Sequence, residues 1–236
     1  MLNKITIIGV GLIGGSLAKA IKANKLATVV CGYGRDQLRL EKAKKGNIID
    51  ELSTNIGEAI KGADIVVIAT PVGTFKQILE DIEPLISEQV IISDVGSTKT
   101  NIVKIVNTVL KEKSKCFVPA HPIAGKEKSG FEVSVSDLFE DKKVIITPLE
   151  NNAPESIKVI HDMWTGLGSE VDYMSSESHD ELLGMTSHLP HMLAFSLVNY
   201  LVSQNPTASI YAGGGFKDFS RIASGDAVMW RDICLQ

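Results

Sequence analysis

The sequence predicts a doubly wound α/β fold, a mainly parallel sheet followed by an all-helical segment, and three observations predict it. Short β-branched runs alternate with amphipathic stretches as far as Tyr173, the signature of βαβ units in a parallel sheet. A G-x-G-x-x-G run, Gly9 to Gly14, joins the first apolar run to the first helical one. After Met174 the strand signals stop, and Leu, Met, Ala and Phe dominate. The expected division is residues 1–174 for the α/β domain and 175–236 for a helical second domain.

The strand-like runs are 4–8, 28–32, 65–69, 90–93, 116–119, 144–147 and 170–173. Most are continuous apolar stretches, as in strands buried on both faces. Helical periodicity falls between them, at 12–23, 37–45, 73–82, 99–111 and 154–166. Asp36 stands where a helix N-cap is needed, and Ser175-Ser176-Glu177 reads as another helix start. Residues 182–202 have the composition of a buried helix, which Pro190 should kink or interrupt. Gly213-Gly214-Gly215 marks a loop, and helical stretches follow at 216–221 and 226–233.

The 236 residues suffice for one large or two modest domains with a substantial core. A net charge of -4 with interspersed signs offers no basic stripe, so nucleic acid is not an expected partner. No apolar run of about 20 residues occurs, and none resembles a secretion signal, so no membrane partner is expected. Cys31, Cys116 and Cys234 are scattered and odd in number. They form no disulfide framework, Cys31 and Cys116 read as buried thiols, and a reducing cytoplasm fits.

The glycine run gains meaning from its context. Gly9 permits a tight turn after the strand, Gly11 lets the backbone approach a pyrophosphate, and Gly14 lets the next helix pack closely. Leu12 and Ile13 open that helix, whose N-terminus favours an anion. This is the Rossmann dinucleotide fingerprint, so a nicotinamide dinucleotide is the expected cofactor. The second strand runs into Gly34 and Arg35, where NAD-binding chains often carry an acid for the ribose. Gly34 removes a charge that would repel a 2′-phosphate. Arg35 either binds that phosphate or is a solvated loop arginine. The choice between NADP and NAD leans to NADP. Ala69-Thr70-Pro71 ends the third predicted strand at the same edge and completes the expected cofactor contacts. Ser97, in Asp94-Val95-Gly96-Ser97-Thr98-Lys99, is a helix cap, a hydroxyl aimed at nicotinamide and substrate, or both.

His121 stands at the carboxyl end of the fifth predicted strand. A neutral imidazole there suits removal of a hydroxyl proton as hydride leaves the same carbon. His188 and His191, in Ser187-His188-Leu189-Pro190-His191, share a helix face at a spacing of three. No acid or cysteine completes a ligand set, so no metal is expected. Substrate contact or core hydrogen bonding remain for them, and His179 could be a satisfied helix histidine. Lys217 and Arg221 follow the glycine loop. Arg221 lies in an apolar neighbourhood, where a substrate carboxylate or an internal salt bridge to Asp218 or Asp226 would satisfy it.

The series G-V-G-L-I-G-G-S, D-V-G-S-T-K, H-P-I-A-G-K-E-K-S-G, S-H-L-P-H and G-F-K-D-F-S-R-I-A-S-G-D-A-V-M-W-R-D-I closely resembles the prephenate and arogenate (cyclohexadienyl) dehydrogenases of tyrosine biosynthesis, over essentially the whole chain. The resemblance implies oxidative decarboxylation of a cyclohexadienyl substrate with NAD(P). It makes His121 the base and Ser97 its helper in placing hydroxyl and nicotinamide. Arg221 would hold a substrate carboxylate, with Lys217 beside it, and His179, Ser187, His188 and His191 would line the pocket. His191 as a polar donor tilts the expected substrate toward prephenate over arogenate, with a dual-specificity enzyme as the alternative. Other Rossmann dehydrogenases, such as β-hydroxyacid dehydrogenases or imine reductases, would not require these motifs together. A catalytically silent dinucleotide sensor is the remaining alternative. The resemblance also implies further helices after Gln236 and a homodimer, with Val228, Trp230 and Ile233 otherwise left without cover.

Overall fold

The structure, a computed structural model, describes residues 1–126 and 128–235. Glu127 of the H-P-I-A-G-K-E-K-S-G motif and Gln236 at the chain end lie outside the described residues, as do the side chains of Ala208 and Ser209.

A six-stranded parallel sheet is built from β1 (Leu2–Ile8), β2 (Ala27–Tyr33), β3 (Glu51–Ser53), β4 (Ile65–Ile68), β5 (Ile91–Asp94) and β6 (Phe117–Val118), in the order β3-β2-β1-β4-β5-β6. The chain leaves β1 outward to β2 and β3, then returns to the other side of β1 with β4. The order therefore reverses beside β1, where ligands of open α/β sheets bind. Register aligns the carboxyl ends: Ile8 pairs with Tyr33 and Ile68, and Ile68 with Asp94. Gly9, Gly34, Ala69 and Val95 thus leave the sheet along one edge. Helices α1 (Leu12–Ala23), α2 (Gln37–Lys45), α3 (Ile56–Ile60), α4 (Phe75–Ile82) and α5 (Thr100–Leu110) make the crossovers.

Alternation along β1 sends Ile5 and Ile7 into one apolar layer with Leu17, Phe139 and Trp164. It sends Ile8 into the other, with Val66, Ile68, Phe75, Leu79 and Phe117. β3 and α3 were not expected; at three and five residues they are too short to show a period. The single strand expected at 116–119 is divided. β6 pairs with β5, then Pro119 intervenes with no N–H to donate, and β7 (Ala120–Pro122) turns away. β7 pairs antiparallel with β8 (Lys143–Ile146), which pairs parallel with β9 (Glu170–Tyr173) across α6 (Pro154–Thr165).

From Ser175 onward the chain is helical. Its elements include α7 (Ser176–Leu183), α8 (Leu189–Gln204), α9 (Gly214–Ser220) and α10 (Ala227–Leu235). A π-type turn, Gly184–His188, links α7 to α8, with Pro190 in the first turn of α8. The proline needs no donor there, so the helix is widened rather than ended.

The loop expected at 213–215 is shorter, since Gly214 and Gly215 open α9, and two further expectations are corrected. Residues 182–202 do not form a buried helix. Leu189, Leu193, Leu197 and Tyr200 are exposed along α8, and Ala194 is its one buried residue among those described. Trp230 and Ile233 are not uncovered. They are 7% and 5% exposed and join the layer containing Val72 and Phe75. Burying an indole of about 200 Å² at about 25 cal/mol per Å² is worth roughly 5 kcal/mol before entropy. Gly73 permits this docking, because a Cβ there would stand 2.5 Å from Asp232 Oδ2. Val228 is 53% exposed, as expected for that residue.

Candidate active site

The glycine turn has the shape its spacing implies. Gly9 adopts φ +100°, and a Cβ on it would lie 2.7 Å from Thr70 Cγ2 and 2.8 Å from the Ala69 carbonyl oxygen. A Cβ on Gly14 would lie 2.1 Å from the Gly9 carbonyl oxygen, so α1 packs directly on the turn. Gly11 differs: nothing comes within 4 Å of its Cβ position, and it begins α1 with no side-chain cap. The result is an open cradle at a helix N-terminus, which fits a dinucleotide pyrophosphate. Pro71 and Thr70 border the cradle, with Thr74 Oγ1 donating to Thr70 Oγ1 at 2.8 Å. Past β2, Arg35 is exposed, and Asp36 spends its carboxylate as a helix cap, accepting from Arg39 N at 3.1 Å. A Cβ on Gly34 would make ordinary contact with Leu40 at 3.5 Å.

From this turn a cleft of about 430 Å³ runs to the helical segment. Leu12 and Ile13 line it at one end, and Arg221, Ile222 and Trp230 at the other. Of the residues expected here, Ser97, His121, Ser187, His188, His191 and Arg221 all line it. His179 does not; it is fully buried behind His121. Lys217 is exposed on α9 and is not among the lining residues. Arg221 is exposed rather than buried among apolar groups, so it meets the cleft from its solvent side. Lys126, which no motif reading singled out, also lines the cleft.

His121 owes its place to β7 and is 9% exposed. Its Nδ1 lies 2.9 Å from His179 Nε2, and His179 Nδ1 lies 2.8 Å from Asp180 Oδ1. Burial, then the Lys99 cation and the His179 and His188 rings, hold His121 well below the usual histidine value. It is therefore a neutral imidazole at neutral pH. Asp180 in turn accepts from the amides of Lys99 and Thr100, each at 2.8 Å. Burial alone would raise its pKa, but the hydrogen bonds from His179, Thr100 and Lys99 more than offset this and hold it far below the carboxylate range. Asp180 thereby caps α5, a role the sequence offered to Ser97; Ser97 makes no cap, and its position on the cleft is what remains.

Beneath His121, Asp94 and Lys99 form a fully buried ion pair. Asp94 also accepts from Gly96 N at 2.8 Å and from Ala120 N at 3.1 Å, so it anchors the residue before His121. Burial pushes Lys99 down and opposes the charge on Asp94, while the contact between them favours the pair. Sequence reasoning missed Asp94, Lys99 and Asp180. The D-V-G-S-T-K motif was the available signal for the first two.

On the helical side, His191 Nδ1 donates to the Ser187 carbonyl at 2.9 Å. Its ring stacks on Trp230 with centroids 3.8 Å apart. Burial lowers the pKa of His188, whose Nε2 has no hydrogen-bond partner among the described residues. The cleft thus presents a neutral buried histidine, hydroxyls, imidazoles and two cations, Lys126 and Arg221, beside an open phosphate cradle. That set can bind an anion, take a hydroxyl proton and hold a hydride acceptor close by.

Residues 17–173 match the prephenate dehydrogenase nucleotide-binding domain, and residues 175–236 match the prephenate dehydrogenase dimerization domain. The chain is 34% identical to a cyclohexadienyl dehydrogenase of Zymomonas mobilis, over 98% of this chain and 80% of that protein. It is 36% identical to a prephenate dehydrogenase of Bacillus subtilis, over 100% of this chain and 64% of that protein, so it spans just under two thirds of that relative. Among solved structures, prephenate dehydrogenase from A. aeolicus in complex with hydroxyphenyl propionate and NAD+ superposes with a TM-score of 0.93. The two are 40% identical, and the match covers 100% of this chain and 82% of that one.

Proposed function

The chain belongs to the prephenate dehydrogenase family, and from that premise we propose that it converts prephenate to 4-hydroxyphenylpyruvate and CO2 by oxidative decarboxylation. The observation that carries this reading is the cleft that holds neutral His121 between the open glycine turn and Arg221. A nicotinamide dinucleotide, when bound, supplies the hydride acceptor. Gly9, Gly11, Gly14 and the first turn of α1 would hold its pyrophosphate, with Ala69-Thr70-Pro71 alongside. His121 accepts the proton of the ring hydroxyl as hydride leaves the same carbon, and Ser97 orients that hydroxyl. Loss of CO2 makes the ring aromatic, and His121 returns the proton to the phenol oxygen. Arg221 holds a carboxylate bidentately, while Ser187, His188 and His191 shape the pocket around the ring and side chain. His179 acts from behind His121. Lys217, exposed on α9 four residues before Arg221, adds positive charge to that part of the chain.

Prephenate is favoured over arogenate because two cations, Lys126 and Arg221, line the cleft and no carboxylate does among the described residues. A dianion fits that field better than a substrate that also carries an ammonium group. NADP is the preferred dinucleotide in this reading: Gly34 offers no charge against a 2′-phosphate, Arg35 is exposed, and Asp36 is committed to its cap. The exposed row Leu189, Leu193, Leu197 and Tyr200 supports a homodimer formed through α8, which sedimentation would read as twice the chain mass. Two buried thiols and one exposed one suit a reducing cytoplasm. The deciding experiment is a steady-state matrix of prephenate and arogenate against NAD and NADP. Highest kcat/KM with prephenate and NADP is expected. Turnover of neither substrate with either dinucleotide would contradict the function, and a preference for NAD would overturn the reading of Gly34 and Arg35.

A further inference from the structure

We infer that Asp180 is a positioning residue for the reaction: acting through His179, it sets which ring nitrogen of His121 carries the proton, and it does so while capping α5. The inference rests on the reading of His121 as the base.

The logic follows donors and acceptors along the chain of contacts. Asp180 Oδ1 receives Lys99 N–H and Oδ2 receives Thr100 N–H, each at 2.8 Å. A carboxylate held by backbone donors is ionised and can only accept. His179 Nδ1, 2.8 Å from Oδ1, must therefore be the donor. A neutral imidazole protonated at Nδ1 keeps its lone pair on Nε2. That lone pair faces His121 Nδ1 at 2.9 Å, so His121 Nδ1 carries a proton and donates it. The lone pair of neutral His121 is then on Nε2, the state a base requires. The opposite tautomer of His121 would set two lone pairs against each other. When Nε2 takes up the substrate proton, the positive charge on His121 is met by His179 and, behind it, by the Asp180 carboxylate. The same physics orients the histidine of a Ser-His-Asp triad.

The arrangement also joins the two parts of the chain. Lys99 and Thr100 begin α5, which has no side-chain cap of its own, and Asp180 belongs to α7. Their hydrogen bonds span 80 and 81 positions of sequence. The tautomer of the base is therefore set only while α7 is docked on α5. Asp94, bonded to Ala120 N, holds the backbone beside His121 as well.

Long-range 15N–1H correlation spectra of the whole chain, with and without NAD, test this. His121 is assigned from its missing signal in His121→Asn. In the parent, His121 Nδ1 should be protonated and Nε2 bare at neutral pH. In Asp180→Ala, His121 should show mixed tautomers, and kcat should fall by roughly 10²-fold or more, while dinucleotide affinity and prephenate KM stay near the parent values. His121 protonated at Nε2 in the parent would overturn the proposal, and so would an Asp180→Ala chain with unchanged tautomer and kcat. If Asp180→Ala fails to fold, the parent spectrum still decides. A parent with the expected tautomer but no turnover of prephenate would defeat the functional reading and leave the relay standing.

Discussion

At the scale of single residues, the proposed site rests on one buried histidine that is kept neutral. His121 is 9% exposed, and burial, with Lys99, His179 and His188 nearby, depresses its proton affinity, against a weaker opposing pull from Asp180. The usable base is the neutral form, so its acid limb lies below the ordinary value of 6.5. The pH dependence of kcat/KM for prephenate, which reports the free enzyme, should be flat at and around 6.5 and fall only in more acidic solution. A limb centred at or above 6.5 would contradict this. The linkage has the same sign for stability: between the folded and unfolded values the unfolded chain binds the extra proton, so this group destabilises the fold as pH drops from 6.5 toward the folded value and contributes no slope above it. That His121, Ser97, His188, His191 and Arg221 share one cleft was legible because each sits in a compact motif. Asp180 was not, since an acid beside a histidine in a helix reads as a solvated pair, and its true partners lie at the start of another helix. Ser97 was misread in part for the same reason: the helix it adjoins is capped from a distant element.

At the scale of elements, the turn from β1 to α1 separates two uses of glycine. Gly14 is required by packing, because a methyl group would sit 2.1 Å from the Gly9 carbonyl oxygen. Gly11 meets nothing within 4 Å, so its hydrogen leaves space for a ligand and not for the protein itself. Gly14→Ala should therefore lower thermal stability, by about 1–3 kcal/mol as overpacking does, and weaken dinucleotide binding with it. Gly11→Ala should melt close to the parent yet bind the dinucleotide more weakly, because the added methyl occupies the pyrophosphate's approach. Calorimetric titration and melting curves check both. Equal affinity in Gly11→Ala and the parent would remove the pyrophosphate from that turn. The long apolar strands and amphipathic helices were readable from period and composition. β3 and α3 were too short to read, and the division at Pro119 depended on β8, which offers β7 an antiparallel partner. The composition of α8 suggested burial, but Leu189, Leu193 and Leu197 stay exposed on one face of it.

At the scale of the whole molecule, the cleft exists because the helical segment docks on the carboxyl edge of the sheet. Asp180 ties α7 to α5, Trp230 and Ile233 bury themselves against Val72 and Phe75, and Gly73 leaves room for Asp232 of α10. Trp230 also forms the floor on which His191 stacks, so docking and pocket shape are one event. The sequence showed two textures and the family motifs, but how the second part closes on the first depends on contacts between residues far apart in the chain. The central claim is that His121 is the base of an oxidative decarboxylation. The most direct measurement is kcat for prephenate, beside dinucleotide affinity, in His121→Asn. A fall in kcat of roughly 10²-fold or more with unchanged dinucleotide affinity is the predicted result. A variant that turns over prephenate at the parent rate at every pH would contradict it.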